Sequence, residues 1–553
     1  MSSFTQNSHA TIGQPIFYNL HFGNLKGDLY GGLTTAVVAL PLSLAFGIAS
    51  GLGASAGLYC AIFLGFFAAL FGGSPAQVSG PNGPMTVLMA SVVAQFPDRP
   101  EMCFAAVILA GVFQILSGGL RLGKYISLVP YPVISGFMSG VGIIIITLQL
   151  ATLTGHTSFA DLPKVIRMMP EYWSDPNWHA VILGLISLSL VLLTPKKIAD
   201  IVPPPLIALI FGTLLGVFLW PLAPQIGEIP TGFPAMHLPE IGWHDLYILA
   251  IPALMLACLS NLDSLMTATV ADSMIRIYHK PDKELIGQGI GNIISGLFGG
   301  LAGSGATMRT GVNIRAGGRT PISGAFHALI LLALVLGLAP LASHIPHAVL
   351  AGILLKVGYD IIDWHYIKKF KSAPRFKIFL MLLVVVLTVT VDLITAVLAG
   401  VVLAALNLVK SLADAQLELI QPVDFHALDE QLAPDTKQLL QKHRNHIVLY
   451  HFQGPLSFGA ASGMAQRLGK FDEFHAVFLD MSQVYFVDTS SGLAIEDIIA
   501  QIQSKNKKVF LIGLQPPVLR TFRQIGIMKL LNTEFVANTL NQALQRYDQT
   551  ASV

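Results

Sequence analysis

Charge is what this 553-residue sequence has least of: Asp, Glu, Lys and Arg together make up only 12% of it. Soluble domains carry about 25%, so an ordinary soluble enzyme, a disordered chain and a collagen-like chain are all excluded. The net charge is +2, too small a field to point to nucleic acid. Cysteine is nearly absent as well. Cys60, Cys103 and Cys258 cannot make a disulfide framework, and each sits in an apolar stretch where a small buried side chain is expected. Met1 to Asn24 lacks the charged-then-apolar pattern of a secretory signal. The sequence has no P-loop, no nucleotide-binding glycine motif and no nucleophile elbow, so ATP-driven transport, hydrolysis and a bound organic cofactor find no support.

What is abundant is apolar sequence: 53% of residues, with a mean hydropathy of +0.65. A bilayer crossing needs about 20 apolar residues. Runs of that kind fall at 27–50, 54–73, 80–95, 103–120, 130–153, 177–194, 203–222, 246–274, 285–301, 306–316, 321–338, 344–362, 376–391 and 393–410, fourteen in all. With the N-terminus inside, connections after even-numbered segments carry the bases: Arg121 and Lys124; Lys196 and Lys197; Arg276, Lys280 and Lys283; Arg315 and Arg319; Lys368 to Lys377. The opposite connections hold few bases and several acids, among them Asp98, Glu101, Asp161, Glu171, Asp175, Glu228 and Glu240. The positive-inside bias therefore expects both termini in the cytoplasm.

The expected layout is a cytoplasmic N-terminus over 1–26, a transport domain over 27–410, a polar linker over 411–440 and a soluble α/β domain over 441–553. In the last, strands are expected at Ile447–Phe452, Ala476–Asp480 and Lys508–Gly513, with helices at Gly492–Gln503 and Pro517–Ile525.

The transport domain repeats itself. Leu70-Phe-Gly-Gly73 recurs as Leu297-Phe-Gly-Gly300, each ahead of a glycine- or proline-broken stretch, Ser79–Pro84 and Gly303–Arg309. Pro130, Val133, Gly136, Val141 and Gly142 match Pro346, Val349, Gly352, Val357 and Gly358, all at an offset of 216. Repeat one covers about 27–222 and repeat two about 246–410. Seven segments is an odd number, so the copies have opposite orientation, the inverted repeat that secondary transporters use. The third segment of each copy is the broken one and marks the substrate site. A helix starting in mid-membrane exposes free N–H groups and a positive dipole end, and two facing ones make a small anion site.

Asp263 lies well inside the eighth segment, and a carboxylate at that depth is a functional candidate by default. Thr267 shares its helical face. With the carbonyls near Gly305 and Ala306 they form an oxygen-only donor set suited to a hard alkali cation. The competing reading pairs Asp263 with Arg309, which could instead serve an anion pocket or reach for water. Asp272 and Arg276 read as a solvated helical pair. Asp360 and Asp392 lie near segment ends where solvation is expected, and His327, His344 and His347 are scattered without a metal-type cluster.

Leu40-Pro-Leu-Ser-Leu-Ala-Phe-Gly-Ile-Ala-Ser-Gly51, Gly57-Leu-Tyr59, Gly80-Pro-Asn-Gly-Pro84 and Gly305-Ala-Thr-Met-Arg-Thr310 with Asn313 resemble the SulP anion transporter family. Val487-Asp-Thr-Ser-Ser-Gly492 resembles the turn of its STAS domain. The resemblance implies an all-α membrane domain of fourteen segments in a seven-plus-seven inverted repeat, divided into core and gate domains, followed by a cytoplasmic α/β STAS-like domain. It also implies small inorganic anions as substrates and a homodimer, formed through the STAS-like domain, in the inner cell membrane. Asn261–Thr267, Lys283–Asn292 and Gly303–Thr310 are most similar to the BicA-type sodium-dependent bicarbonate transporters. That similarity implies sodium at Asp263, Thr267, Gly305, Ala306 and Thr307, and an anion, bicarbonate in the first place, at Asn82, Ala306 and Thr307, with Gly83 and Arg309 as further candidate anion-binding residues. Two positions depart from the pattern. Asn82 stands where a threonine is expected, and Arg309 where the BicA type has no arginine, which leaves sulfate or a dicarboxylate open. Thr489, Ser490 and Ser491 are the candidates for regulatory phosphorylation, as in related STAS antagonists. A nucleobase transporter, a membrane-tethered signalling module and an anion channel are the remaining alternatives.

Overall fold

The computed structural model describes residues 18–551 apart from 127–128, 157–161, 200–201, 228–231, 237, 240–241, 392, 423–432, 460, 462 and 465–473. Asp161, Glu228, Glu240, Asp392 and the N-terminal stretch before residue 18 therefore lie outside the described residues. By contacts, the chain divides after Val401 into two compact units.

A helix stands at each of the fourteen expected positions, the first thirteen within the first unit and the last running past Val401. They are α1 (Leu25–Ala49), α2 (Ala54–Phe71), α3 (Gly83–Gln95), α4 (Pro100–Gly119), α5 (Tyr131–Leu153), α6 (Trp178–Leu193) and α7 (Pro204–Leu219). The second series is α8 (Trp243–Ile275), α9 (Pro281–Leu297), α10 (Thr307–Arg315), α11 (Pro321–Ala342), α12 (His347–Ile361), α13 (Arg375–Thr390) and α14 (Leu393–Glu418). By length and apolar composition alone, six of these helices qualify as complete membrane spans. The others fall short of that test over their described residues, and α3 and α10, with 13 and 9 residues, are half-spans. At 1.5 Å per residue they reach about 20 and 14 Å, against a hydrocarbon core of about 30 Å. Among the helices between these spans, the longest, Leu162–Ser174, was not expected. It is amphipathic, burying Leu162, Val165 and Tyr172, and meets α6 at 111°.

The packing obeys a two-fold relation between the repeats. α1 packs on α11 as α8 packs on α4; α4 packs on α9 as α11 does on α2; α5 packs on α13 as α12 does on α6. Where the axis passes, equivalent residues meet themselves. A Cβ on Gly142 would sit 2.6 Å from the Gly358 carbonyl, and one on Gly358 would sit 3.0 Å from the Gly142 carbonyl. They are one of the five pairs repeated at an offset of 216, and only glycine lets α5 and α12 cross that closely. The helices sort into a core (α1–α4, α8–α11) and a gate (α5–α7, α12–α14). Outward-facing Leu185, Phe211, Phe218, Leu382 and Leu398 on the gate helices are exposed, as a lipid-facing surface requires. Cys60 and Cys103 are buried as expected, whereas Cys258 is exposed on the face of α8 that carries Ile251 and Leu254.

The second unit is a five-stranded sheet in the order β3 (Gln421–Pro422), β4 (Ile447–Gln453), β5 (Ala476–Gln483), β6 (Lys508–Ile512), β7 (Val536–Ala537), with only the β3–β4 pair antiparallel. Alternation along β4 sends Val448, Tyr450 and Phe452 to one face and Ile447 and Leu449 to the other, so both faces are buried. Helices α16 (Thr489–Ser504) and α17 (Pro516–Ile525) cover the first face; α15 (Pro434–His443) and α18 (Leu540–Ala551) cover the second. The stretch expected as a linker is structured at both ends: α14 runs on to Glu418, β3 pairs with β4, and α15 begins at Pro434. Residues 423–432 lie outside the described set.

Candidate functional site

Two extended stretches enter the core from opposite repeats and pair as a minimal antiparallel ladder. β1 (Ser79–Gly80) and β2 (Ser304–Gly305) place Ser79 opposite Gly305 and Gly80 opposite Ser304, the pairing a two-fold axis demands. Each then enters a half-helix, β1 leading to α3 and β2 to α10. Irregular backbone at membrane depth must be satisfied by protein, and here it is. The Ala306 N–H donates to the Val78 carbonyl (2.9 Å), and the Val78 N–H donates to Thr310 Oγ1 (3.0 Å).

Polar side chains from neighbouring spans hold the stretches in place. Glu284 on α9 is buried and accepts from the N–H groups of Gly73 and Ser74 at 2.8 and 2.9 Å and from Gln77 Nε2 at 2.8 Å. Asn292, two turns on, binds both backbone groups of Gly303 (3.0 and 3.1 Å). Ser260 donates to the Gly303 carbonyl at 2.7 Å, and the Gly305 N–H donates to Ser264 at 3.0 Å. The sequence reading did not single out Glu284, Asn292, Ser260 or Ser264. For Asn292, Ser260 and Ser264 the signal was available, since each is polar inside an apolar run, whereas Glu284 stands just ahead of one.

At the centre, the structure brings together the residues expected to form the site. Asp263 is 5% exposed. Its Oδ2 accepts from Ser304 Oγ (2.6 Å) and from the Asn82 amide. The same Asn82 nitrogen also lies 2.5 Å from Ser304 Oγ and 3.5 Å from the Gly305 carbonyl. Thr267 Oγ1 donates to the Gly305 carbonyl at 3.1 Å and lies 2.8 Å from Thr307 Oγ1. One carboxylate thus stands among four neutral oxygens, those of Ser304, Gly305, Thr267 and Thr307. Among the described residues, no group of three or more His, Cys, Asp or Glu side chains is placed to hold a metal ion. A set with one negative charge and otherwise neutral oxygens matches a monovalent hard cation better than a divalent one. Ser304 is a member that the sequence reading missed.

Arg309 does not pair with Asp263. It is 1% exposed, and its Nη2 donates to the Pro81 carbonyl (2.9 Å) and to Ser43 Oγ of α1 (3.3 Å), while Nη1 has no partner. The guanidinium lies where a Cβ on Gly80 would stand. The competing ion-pair reading is therefore set aside. Nor do Asp272 and Arg276 pair: Asp272 receives the His279 ring (2.7 Å) and backbone N–H (3.0 Å), and Arg276 ends α8 in a left-handed conformation. Asp360 pairs with Lys356.

A cavity of about 90 Å³ lies against these groups, lined by Asn82, Gly83, Asp263, Ala306, Thr307 and Arg309 on the core side and by Met138, Val357 and Ile361 on the gate side. That is room for about three waters, each taking about 30 Å³, or for one small oxyanion. A wider cavity of about 510 Å³ shares Leu42, Met308 and Val357 with it and leads towards Arg315, Lys356 and Asp360. The two half-helices differ at their starts. Asn82 caps α3, its Oδ1 accepting from the Met85 N–H (3.1 Å); Ala306 gives α10 no side-chain cap.

In the second unit Asp488 caps α16, its Oδ1 accepting from the Ser491 N–H at 2.8 Å and its Oδ2 from the Phe458 N–H at 2.6 Å. Thr489 and Ser490 are exposed there and Ser491 is buried.

Residues 25–385 match the sulfate permease family and residues 438–543 the STAS domain. The bicarbonate transporters BicA of Picosynechococcus and Synechocystis are 40% and 41% identical to this chain, over 95% of each sequence. A putative sulfate transporter of Bacillus subtilis, YvdB, is 31% identical over 83% of this chain and 86% of its own. Among solved structures, the transmembrane domain of a cyanobacterial BicA covers 69% of this chain and all of its own, at 48% identity and a TM-score of 0.66. SLC26A9 covers 96% of this chain at 18% identity and a TM-score of 0.81, which speaks for the fold alone. With its paired half-helices, its inverted repeat and these matches, the chain belongs to the sulfate permease family and carries that family's membrane domain followed by a STAS domain.

Proposed function

We propose that the protein is a secondary transporter that carries bicarbonate together with a sodium ion by alternating access. The observation that carries this reading is the setting of Asp263. A buried carboxylate with no cationic partner stands among four neutral oxygens, beside a cavity that reaches the uncapped start of α10. A buried, unpaired charge is strongly unfavourable, and a bound sodium ion at Asp263, Thr267, Gly305, Ala306 and Thr307 neutralises it. The first-turn N–H groups of α10, the Asn82 amide and the Arg309 guanidinium then supply donors and positive potential for an anion. The identity of 40% with bicarbonate transporters over nearly the whole chain supports bicarbonate as that anion.

In this reading both termini are cytoplasmic, the chain sits in the cell membrane, and the wide cavity opens inward past Arg315 and Lys356. Sodium and bicarbonate bind together, and the neutralised site lets the core slide against the gate. Each solute biases that change only through its differential affinity for the two states. No chemical step and no organic cofactor is involved. The STAS domain serves assembly as a homodimer. Phosphorylation, if it acts there, falls on exposed Thr489 or Ser490 rather than on buried Ser491.

One observation favours a second reading, a sulfate or dicarboxylate carrier: Arg309 Nη1 is buried without a partner, and a second positive donor suits a divalent anion. Labelled bicarbonate uptake into proteoliposomes separates the two, with inward sodium or potassium gradients and unlabelled sulfate as competitor. Sodium-stimulated uptake that sulfate leaves unchanged supports bicarbonate symport. Uptake indifferent to sodium, or competed and replaced by sulfate, supports the second reading.

A further inference from the structure

The Asn82 side chain occupies the ground that a cation at Asp263 would need. Its amide nitrogen contacts three acceptors at once: Asp263 Oδ2, Ser304 Oγ and the Gly305 carbonyl. Asp263 Oδ2 and the Gly305 carbonyl are oxygens of the set assigned above to sodium, and Ser304 Oγ is bonded to the same carboxylate oxygen. A carboxamide N–H and a metal ion both seek lone pairs, so they compete for the same atoms. Among the described residues, the amide is also the one side-chain donor to Asp263 from the opposite repeat, across 181 residues of sequence. Its oxygen is engaged elsewhere, accepting from the Met85 N–H at the start of α3. The carboxamide is planar and moves as one piece, so drawing its nitrogen off Asp263 also releases the Met85 N–H.

Resting on the symport reading, we propose that Asn82 is the coupling switch. With the cation site empty its amide stands in for the ion on Asp263. An entering sodium ion displaces it, and the freed N–H groups become donors to the anion in the adjoining cavity, which Asn82 already lines. The anion in turn holds the amide away from Asp263 and so tightens sodium. The coupling is reciprocal, as linkage requires. The threonine of the BicA-type pattern at this position has a single hydroxyl and cannot span three acceptors and a helix cap together. Asn82 is a positioning residue for the cation and a direct donor to the anion.

The test is sodium binding by isothermal titration calorimetry on the purified full chain in detergent, with and without bicarbonate. The set is wild type, Asn82→Ser, Asn82→Ala and Asp263→Asn. Serine retains a helix cap while removing the amide, so Asn82→Ser carries the test if Asn82→Ala is not monodisperse. Removing one hydrogen bond to a charged acceptor from the competing state tightens sodium about tenfold in Asn82→Ser. The tightening of sodium by bicarbonate is lost in the same variant. Asn82→Ser that binds sodium no better than wild type, with an unchanged melting temperature, overturns the proposal and leaves the symport reading standing. If wild type binds no sodium, the symport reading fails. In that case sodium binding gained in Asn82→Ser still upholds the amide as the occupant, and none gained overturns it as well.

Discussion

The starts of α3 and α10 share a backbone and differ in chemistry. Two-fold pairing of β1 with β2 gives each half-helix the same approach, and Gly80 and Gly305 admit close neighbours on both sides. Yet α3 is capped by Asn82 and α10 by no side chain, and the carboxylate, Asp263, comes from α8 of the second repeat only. Duplication supplies a symmetric frame able to expose two positive helix ends. Transport of two unlike solutes needs that symmetry broken, so that one side holds the cation and the other offers donors to the anion. The core invests buried polar groups in this (Asp263, Glu284, Asn292, Arg309), whereas the gate meets it with apolar side chains and glycine crossings.

The comparison can be broken most severely at the carboxylate. Asp263→Asn leaves the cation no charged partner, and sodium-stimulated bicarbonate uptake is expected to fall by about two orders of magnitude, read as initial rates in proteoliposomes. The equivalent glycines sharpen the contrast, since added methyls cost about 1–3 kcal/mol in packed surroundings but strike different partners. In Gly305→Ala the Cβ falls 3.1 Å from Thr267 Cβ and 2.8 Å from Gln77 Cδ, so apparent sodium affinity should suffer. In Gly80→Ala it falls on the Arg309 guanidinium, so apparent anion affinity should suffer instead. Arg309→Lys keeps the charge but loses the planar guanidinium, whose Nη2 reaches Pro81 and Ser43 while Nη1 stays free for the anion. The half-saturating bicarbonate concentration is expected to rise about tenfold, the energy of one charge-assisted hydrogen bond, with sodium dependence retained. Glu284→Gln weakens the three hydrogen bonds from Gly73, Ser74 and Gln77, which only support the first stretch. A loss of about 1 kcal/mol, seen as a lower melting temperature, is expected without a change in either half-saturation constant. The smallest effect is expected in the STAS unit. Hydrogen bonds from Lys442 and His443 hold the Asp548 carboxyl below its usual range. Its stabilising contribution is present above the ordinary carboxylate pKa and is lost as pH falls through the depressed one. Asp548→Asn should therefore flatten the acid side of the STAS melting profile in calorimetry and leave uptake unchanged.

Much of this was legible in the sequence, for physical reasons. Spans are apolar because the bilayer is, so α1 to α14 stand where apolar runs predicted them. The half-helices were marked by Gly80, Pro81, Gly303 and Gly305, which break regular backbone. The amphipathic helix Leu162–Ser174 escaped because it has no continuous apolar run, only an apolar stripe. The helical end of α14 and the short strand β3 were hidden in polar sequence whose folding depends on β4. Proximity in three dimensions was the larger gap. That Asp263 meets Asn82 and Ser304 rather than Arg309, and that Arg309 reaches back to Ser43 on α1, are contacts between distant residues that no local pattern encodes. Asp272 is the same lesson at short range, because the turn after α8 brings His279 to it.

The central claim is that cation and anion share one site and move together. Its most direct test is uptake of radioactive sodium into proteoliposomes driven only by an inward bicarbonate gradient, with the membrane potential clamped. The account predicts sodium accumulation against its own gradient in wild type and none in Asp263→Asn. Bicarbonate entering at full rate while sodium stays at the Asp263→Asn level would contradict it.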